Sequence, residues 1–327
     1  PYTTLFRSDR PEKVTADWLT EALRAAGFDV EVAAVRSAPI GTGQSAHSER
    51  FHVDYASHDD RAPETLVGKF PSPDPTSRET GHVHGSYARE VGFYREIAPT
   101  VGVRTPRCLY QAIDPEDSAF VLLLEDMSPA EQGDQMRGCS PDVAAAAVEE
   151  IARLHAPRWG DPALARHAFL AGAGEQTLSP ELYSTFWEGF VARYADRLEP
   201  EIRRVGEVLH EGFERYARPY DGPRCVTHGD YRLDNVLIEA GDGAPTVSVV
   251  DSQTAGIGAG ALDGAYLVGA GLLPEVSRTH EPALVERYHA ALMRHGVRDY
   301  PLEQLWQDYR RYTYAGYVMA VMASMLV

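Results

Sequence analysis

The sequence predicts an α+β chain of two lobes: a small lobe built on an antiparallel sheet, then a larger, mainly helical one. Short alternating or unbroken apolar segments run through the first part of the chain. The last of them, Phe120-Val121-Leu122-Leu123-Leu124, gives way to a polar, Gly-containing stretch up to Cys139, suited to a hinge. Beyond it, apolar residues recur at helical spacing behind Ser-Pro start signals. The expected division is therefore an amino-terminal lobe over 9–124, a hinge and linker over 125–139, and a carboxyl-terminal lobe over 140–327.

In chain order, Thr15 caps a helix running to Ala26 and closed by Gly27. Strands follow over Val30 to Ala38, Glu49 to Tyr55 and Leu66 to Phe70, with the small-residue tip Ile40-Gly41-Thr42-Gly43-Gln44-Ser45-Ala46-His47-Ser48 between the first two. Tyr87 to Glu96 is helical, with Tyr87, Val91 and Tyr94 on one face and Glu90 near its edge. Ser140-Pro141 opens a helix to about His155, and Ser179-Pro180 opens another through Leu198. Further helices are expected over Pro200 to Tyr216, Ala261 to Leu272, Glu281 to His295 and Leu302 to Leu326.

Length and charge bound the rest. A chain of 327 residues suits more than one small core, and 44% hydrophobic with 24% charged residues is ordinary globular composition. A net charge of −17 argues against nucleic acid and favours a cationic small molecule as partner. Three cysteines without CxxC spacing read as reduced thiols of a cytoplasmic protein. The most apolar segment, Tyr314 to Val327, is too short for a membrane span, so no membrane association is expected. Residues 1–8 read as a sequencing or cloning artefact, and the helical pattern reaching Val327 without a stop signal as a truncated carboxyl end.

The chemistry concentrates in His228-Gly229-Asp230-Tyr231-Arg232-Leu233-Asp234-Asn235 and in Asp251 after the apolar run Val247 to Val250. Asp230 can take a proton from an attacking hydroxyl, while Asn235 and Asp251 offer the hard oxygen ligands that Mg²⁺ prefers. That set suits phosphoryl transfer from ATP. Gly41, Gly43 and Ser45 read either as a plain hairpin turn or as a loop whose N–H groups approach phosphate. Lys69, between apolar neighbours, is either an edge-strand gatekeeper or a buried ammonium paired with Glu90, with Glu96 as the weaker rival. His155, Trp159 and residues of the last helices (Tyr288, Tyr309, Tyr312, Glu303, Asp308) read chiefly as packing positions, with contact to an acceptor as the alternative.

The order of glycine loop, strand lysine, helix glutamate, apolar hinge, H-G-D-x-x-x-x-N and final aspartate resembles the aminoglycoside-phosphotransferase and choline-kinase-like superfamily, which has the protein kinase-like fold. Gly133-Asp134-Gln135, Ala152 to Trp159 and Val249 to Gln253 look most like its ecdysteroid-kinase-like branch. The resemblance implies Asp230 as base, Asn235 and Asp251 as metal ligands, and Arg232 where protein kinases often carry a lysine facing the γ-phosphate. It implies Lys69 and Glu90 as phosphate clamp, Asp263 as brace of the catalytic loop with His228 in support, and adenine against the backbone of Glu125 and Met127. ATP, with GTP as the alternative donor, and Mg²⁺ are then expected between the lobes, with a hydroxyl of an aminoglycoside-, choline- or steroid-like molecule as acceptor. Two departures stand out: Ser252 follows the metal-binding aspartate where relatives place Phe or Trp, and Ala259 and Leu262 replace a usual Pro and Arg. A nucleotide-binding pseudokinase is the alternative reading, argued against by the filled key positions. A metal-dependent phosphohydrolase using His228, Asp230 and Asp251 leaves the glycine loop and the Lys69–Glu90 pairing without a purpose.

Overall fold

The computed structural model describes residues 9–41, 45–114, 116, 119–172, 178–241 and 243–326. Two compact units make up the chain. The first runs to Thr100 and adds Arg104–Glu131 and Ser248–Thr254; the second holds Val101–Val103, Gln132–Val247 and the remainder from Ala255.

The first unit is built on a five-stranded antiparallel sheet of order β1-β2-β3-β5-β4. Its strands are β1 (Val30–Ile40), β2 (Ala46–His58), β3 (Thr65–Pro71), β4 (Cys108–Ile113) and β5 (Phe120–Glu125). Helix α1 (Ala16–Ala25), capped by Thr15 Oγ1 accepting the Trp18 N–H at 3.2 Å, buries Trp18, Leu19, Ala22 and Leu23 with Leu66, Phe70, Val121 and Leu123 of the sheet. On β5, Phe120 stands out of register with Val121 and meets the Tyr87 ring at 4.7 Å. Tyr87 belongs to α3 (Ser86–Gly92), which continues through a π turn over Phe93–Ile97. The run 120–124 is therefore apolar throughout because both faces of β5 are covered.

The same alternation places the residues of β3. Leu66 and Phe70 enter the core with α1, so Gly68 shares their face, and Lys69 takes the opposite face beside its partner Leu122. A Cβ at Gly68 would come within 2.5 Å of the Phe51 ring and 2.8 Å of Phe70, which explains a glycine inside a strand.

Two elements of this unit carry too weak a pattern to be read from sequence. Strand β4 is half-buried along its whole length and shows no clean alternation. Helix α2 (Pro75–Val83) buries only Gly81 and has no apolar stripe.

The second unit is mainly helical, with α4 (Pro141–His155), α5 (Pro180–Tyr194), α6 (Pro200–Glu211), α7 (Phe213–Tyr216), α8 (Ala261–Gly271), α9 (Pro274–Arg294), α10 (Leu302–Tyr312) and α11 (Ala315–Leu326). Ser140 and Ser179 cap α4 and α5 by accepting the N–H groups of Val143 and Leu182. Tyr183, Trp187, Phe190, Leu209, Phe213, Val318 and Val321 form one aromatic-rich core, with Tyr183 stacked on Phe213 at 3.8 Å. Short strands complete the unit: β7 (Cys225–Thr227) pairs antiparallel with β10 (Gly256–Gly258). The chain also forms β6 (Glu131–Gln132), β8 (Val236–Glu239) and β9 (Thr246–Val249).

Three sequence expectations need correction here. The single helix expected over 200–216 is two, α6 and α7, because Gly212 leaves the helical conformation between them. Helix α9 starts at Pro274 rather than at Glu281, because Pro274 takes the favoured first-turn position and Pro282, which imitates a start signal, lies inside the helix. The single helix expected over 302–326 is two, α10 and α11. The break falls at Thr313, whose hydroxyl donates to the Arg310 carbonyl at 2.8 Å and competes with the helical pattern.

Replacing Gly68 by alanine should destabilise the protein by about 1–3 kcal/mol, as overpacking of a filled core does. A shift of the urea denaturation midpoint measures it, and an unchanged midpoint would show that the Phe51 and Phe70 rings move aside freely.

Candidate active site

In the first unit the centre is Lys69. Its Nζ lies 2.7 Å from both carboxylate oxygens of Glu90 on α3 and 2.8 Å from Asp251 Oδ1. The Lys69 side chain is 12% exposed and Glu90 1%, so the group is largely removed from water. Burial by itself disfavours the ammonium, but Asp251 and Glu90 outweigh it and hold Lys69 above the ordinary lysine value. Of the two helix glutamates considered, Glu90 meets the lysine; Glu96 instead bonds Arg95 at 2.8 Å.

Asp251 follows β9 in a left-handed conformation, with φ of 64°. Such a conformation costs a non-glycine residue roughly 1 kcal/mol or more and persists only where the surroundings impose it. Those surroundings are specific. Val249 N–H donates to the Arg104 carbonyl and Thr105 Oγ1 donates to the Val249 carbonyl, each at 2.8 Å. Gln253 Nε2 reaches Asp251 Oδ2 at 3.3 Å. Thr105 escaped the sequence reading, because a lone threonine carries no motif.

Gly41 is exposed with φ of 72°, as a turn requires, while Gly43 lies outside the described residues. The Ser45 carbonyl accepts the Tyr87 hydroxyl at 2.7 Å, tying the base of the hairpin tip to α3. At the end of β5, Glu125 N–H donates to the Arg107 carbonyl at 2.9 Å, and the Met127 carbonyl accepts Ala130 N–H at 2.9 Å. These engagements narrow what Glu125 and Met127 could offer a base. The intervening Asp126 is held by Arg50 Nε at 2.7 Å and by Ser128 N–H at 3.1 Å.

In the second unit the loop 228–235 is arranged around two carboxylates. Asp263 on α8 is fully buried; its Oδ2 accepts His228 N–H at 2.6 Å and its Oδ1 accepts Gly229 N–H at 2.9 Å. His155 Nε2 meets Oδ2 at 3.0 Å, and its Nδ1 meets the Tyr288 hydroxyl at 2.7 Å. Burial would raise the Asp263 carboxyl, but the hydrogen bond from His155 and the neighbouring His228 reverse this and hold it below the usual range.

Asp230 is the second carboxylate. Asn235 Nδ2 donates to its main-chain carbonyl at 2.8 Å and to its Oδ2 at 3.0 Å, and Arg232 Nε reaches Oδ2 at 3.2 Å. Arg232 also bonds Asp234 through Nη1. Burial would lower the guanidinium, but Asp230 and Asp234 raise it. The Tyr266 phenol on α8, which no motif marks, is raised by burial first and then by the charge of Asp230.

His155, Tyr288, Asp308, Tyr309 and Tyr312 are buried, whereas Glu303 is exposed. Tyr220 and Tyr300 hydroxyls donate to Asp308 Oδ2 at 2.8 and 2.7 Å, and Gln304 Nε2 to Oδ1 at 3.0 Å, all in the interior of the second unit. Tyr309 is buried and bonds Glu281 at 2.8 Å; Trp159 packs on Tyr300.

Among the described residues no group of three or more His, Cys, Asp or Glu could hold a metal ion. The donors on offer are the Asp251 carboxylate and the Asn235 amide oxygen, whose nitrogen is committed to Asp230. Each is a hard oxygen donor of the kind Mg²⁺ takes. They lie in different units, Asp251 in the first and Asn235 in the second.

The lowered Asp263 carboxyl gives a signed pH dependence. Its contribution to stability is present above the unfolded carboxylate value of about 3.9 and is lost as pH falls through the lower folded value. At pH 7, Asp263→Asn should cost about 3–5 kcal/mol, as breaking a buried pair does. Denaturation midpoints of the two proteins should converge as the pH drops below about 4; a constant gap would mean that Asp263 carries no folded-state charge.

Comparison with known proteins bears on the family and the fold. Residues 43–309 match the APH profile, described as the phosphotransferase enzyme family. No curated protein matches the chain. Solved structures similar in fold include the GDP and kanamycin complex of APH(2″)-IIia, at 15% identity and TM-score 0.57, covering 94% of this chain and 92% of that one. Choline kinase from Cryptosporidium parvum matches at 8% identity and TM-score 0.55, covering 87% and 81%. Ethanolamine kinase from Plasmodium vivax matches at 11% identity and TM-score 0.51, covering 90% and 77%. With its sheet-based first unit, its helical second unit and this match over most of its length, the chain belongs to the APH phosphotransferase enzyme family and is a small-molecule kinase.

Proposed function

We propose that the protein transfers the terminal phosphoryl group of ATP, with Mg²⁺, to a hydroxyl of a small molecule of the aminoglycoside, choline or steroid-like kind. The observation that carries the reading is Lys69 held at 2.7–2.8 Å by Glu90 and Asp251, an ammonium fixed where it can engage phosphate oxygens. A net charge of −17 supports a cationic acceptor, as do the kanamycin, choline and ethanolamine in the names of its structural neighbours. GDP in the APH(2″)-IIia complex makes GTP the alternative donor.

In this reading Asp230 accepts the acceptor's hydrogen bond and takes its proton as the acceptor oxygen bonds to the γ-phosphorus and the bond from that phosphorus to the β,γ-bridging oxygen breaks, releasing ADP. Arg232 and Asn235, both bonded to Asp230 Oδ2, keep that carboxylate oriented. Lys69 binds phosphate oxygens and Glu90 keeps it extended toward them. Gly41, Gly43 and Ser45 approach the phosphates, and Glu125 and Met127 the base. Asp251 and Asn235 hold the metal, which when bound neutralises phosphate charge. Asp263 and His228 fix the loop that carries Asp230. Most of the acceleration then comes from positioning and charge, as is general for this transfer.

Titration with ATP and Mg²⁺, following thermal stability and phosphate release, should show a Mg²⁺-dependent stabilisation that Asp251→Ala loses. Asp230→Ala should retain nucleotide binding and lower turnover by about 10²–10⁴-fold, the usual range for a general base. Full turnover in Asp230→Ala, or Mg²⁺-independent binding in the wild type, would refute the assignment.

A further inference from the structure

Arg89 stands immediately before Glu90 on α3 and is buried, which is unusual for an arginine. Its Nη1 donates to the Gln253 carbonyl at 2.9 Å and its Nη2 to the His84 carbonyl at 3.3 Å. Gln253 lies in the single 3₁₀ turn Ser252–Thr254 that follows Asp251. These acceptors are main-chain oxygens, so the guanidinium pins the backbone path of the turn. A bond from a charged donor is roughly twice as strong as a neutral one, and the side-chain bond from Gln253 to Asp251 is longer, at 3.3 Å.

Building on the reading of Asp251 as a metal ligand, we propose that Arg89 is the positioning residue for that carboxylate. By holding the Gln253 carbonyl it keeps the turn closed and Asp251 in its left-handed conformation beside Lys69. Helix α3 then sets two groups at once: Glu90 fixes the lysine, and its neighbour Arg89 fixes the aspartate. Ser252, whose small side chain is buried, lies in the same turn that Arg89 ties to α3.

The test is the Mg²⁺ concentration that half-saturates the thermal stabilisation by ADP, measured on the full chain for wild type, Arg89→Met, Arg89→Gln and Asp251→Ala. Arg89→Met should raise that midpoint about tenfold, the lower end for loss of an outer-shell partner, with stabilisation by ADP alone within about twofold of wild type. Arg89→Gln, which keeps a donor without the charge, should fall between and carries the test if Arg89→Met does not fold. A lowered ligand-free melting temperature with a wild-type Mg²⁺ midpoint in both variants would mean a purely structural arginine and overturn the inference. If Asp251→Ala itself keeps the wild-type midpoint, the metal-ligand reading falls and the inference with it. If Asp251→Ala abolishes the Mg²⁺ response while both Arg89 variants leave the midpoint unchanged, the inference alone falls.

Discussion

One buried ammonium between two carboxylates governs the first unit. Lys69 is charged because Glu90 and Asp251 face it, and each carboxylate is tolerated because the lysine is there. Two carboxylates face one ammonium, and the elements that supply them, β3, α3 and the segment Ser248–Thr254, belong to one unit. The residual negative charge is also what a cation bound at Asp251 would offset.

The second unit solves the same problem with different parts. There a buried carboxylate, Asp263, takes two consecutive main-chain N–H groups and an imidazole, and so shapes the turn that carries Asp230. Asp230 is then oriented by an amide and a guanidinium from its own loop. In both units an acidic side chain proposed to do chemistry is placed by fixing the backbone around it.

The tyrosines of the second unit serve a related purpose. Tyr220 and Tyr300 converge on Asp308, and Tyr288 on His155. Each phenol meets an acceptor or ring nitrogen in the interior, so the helices lock by polar contacts as well as by apolar packing.

The sequence by itself determined the elements with a strong local signal. Ser140-Pro141 and Ser179-Pro180 specify helix starts through side-chain caps, and the apolar run at 120–124 specifies a strand covered on both faces. It also determined the spacing of His228, Asp230, Arg232 and Asn235, because a loop of eight residues holds its chemistry within itself. Strand parity even placed Lys69 opposite the face of Leu66 and Phe70. What only the tertiary structure decided is which distant groups meet. The separations of 182 residues between Lys69 and Asp251, and of 108 between His155 and Asp263, leave no local trace. Arg89, Thr105 and Tyr266 were invisible for the same reason: each acts on a backbone or side chain far away in sequence, and a hydrogen bond formed by folding writes no periodic pattern into either partner. The broken helix after Tyr312 and the early start of α9 belong here too, because they depend on a hydroxyl bond and on which of two prolines takes the first turn.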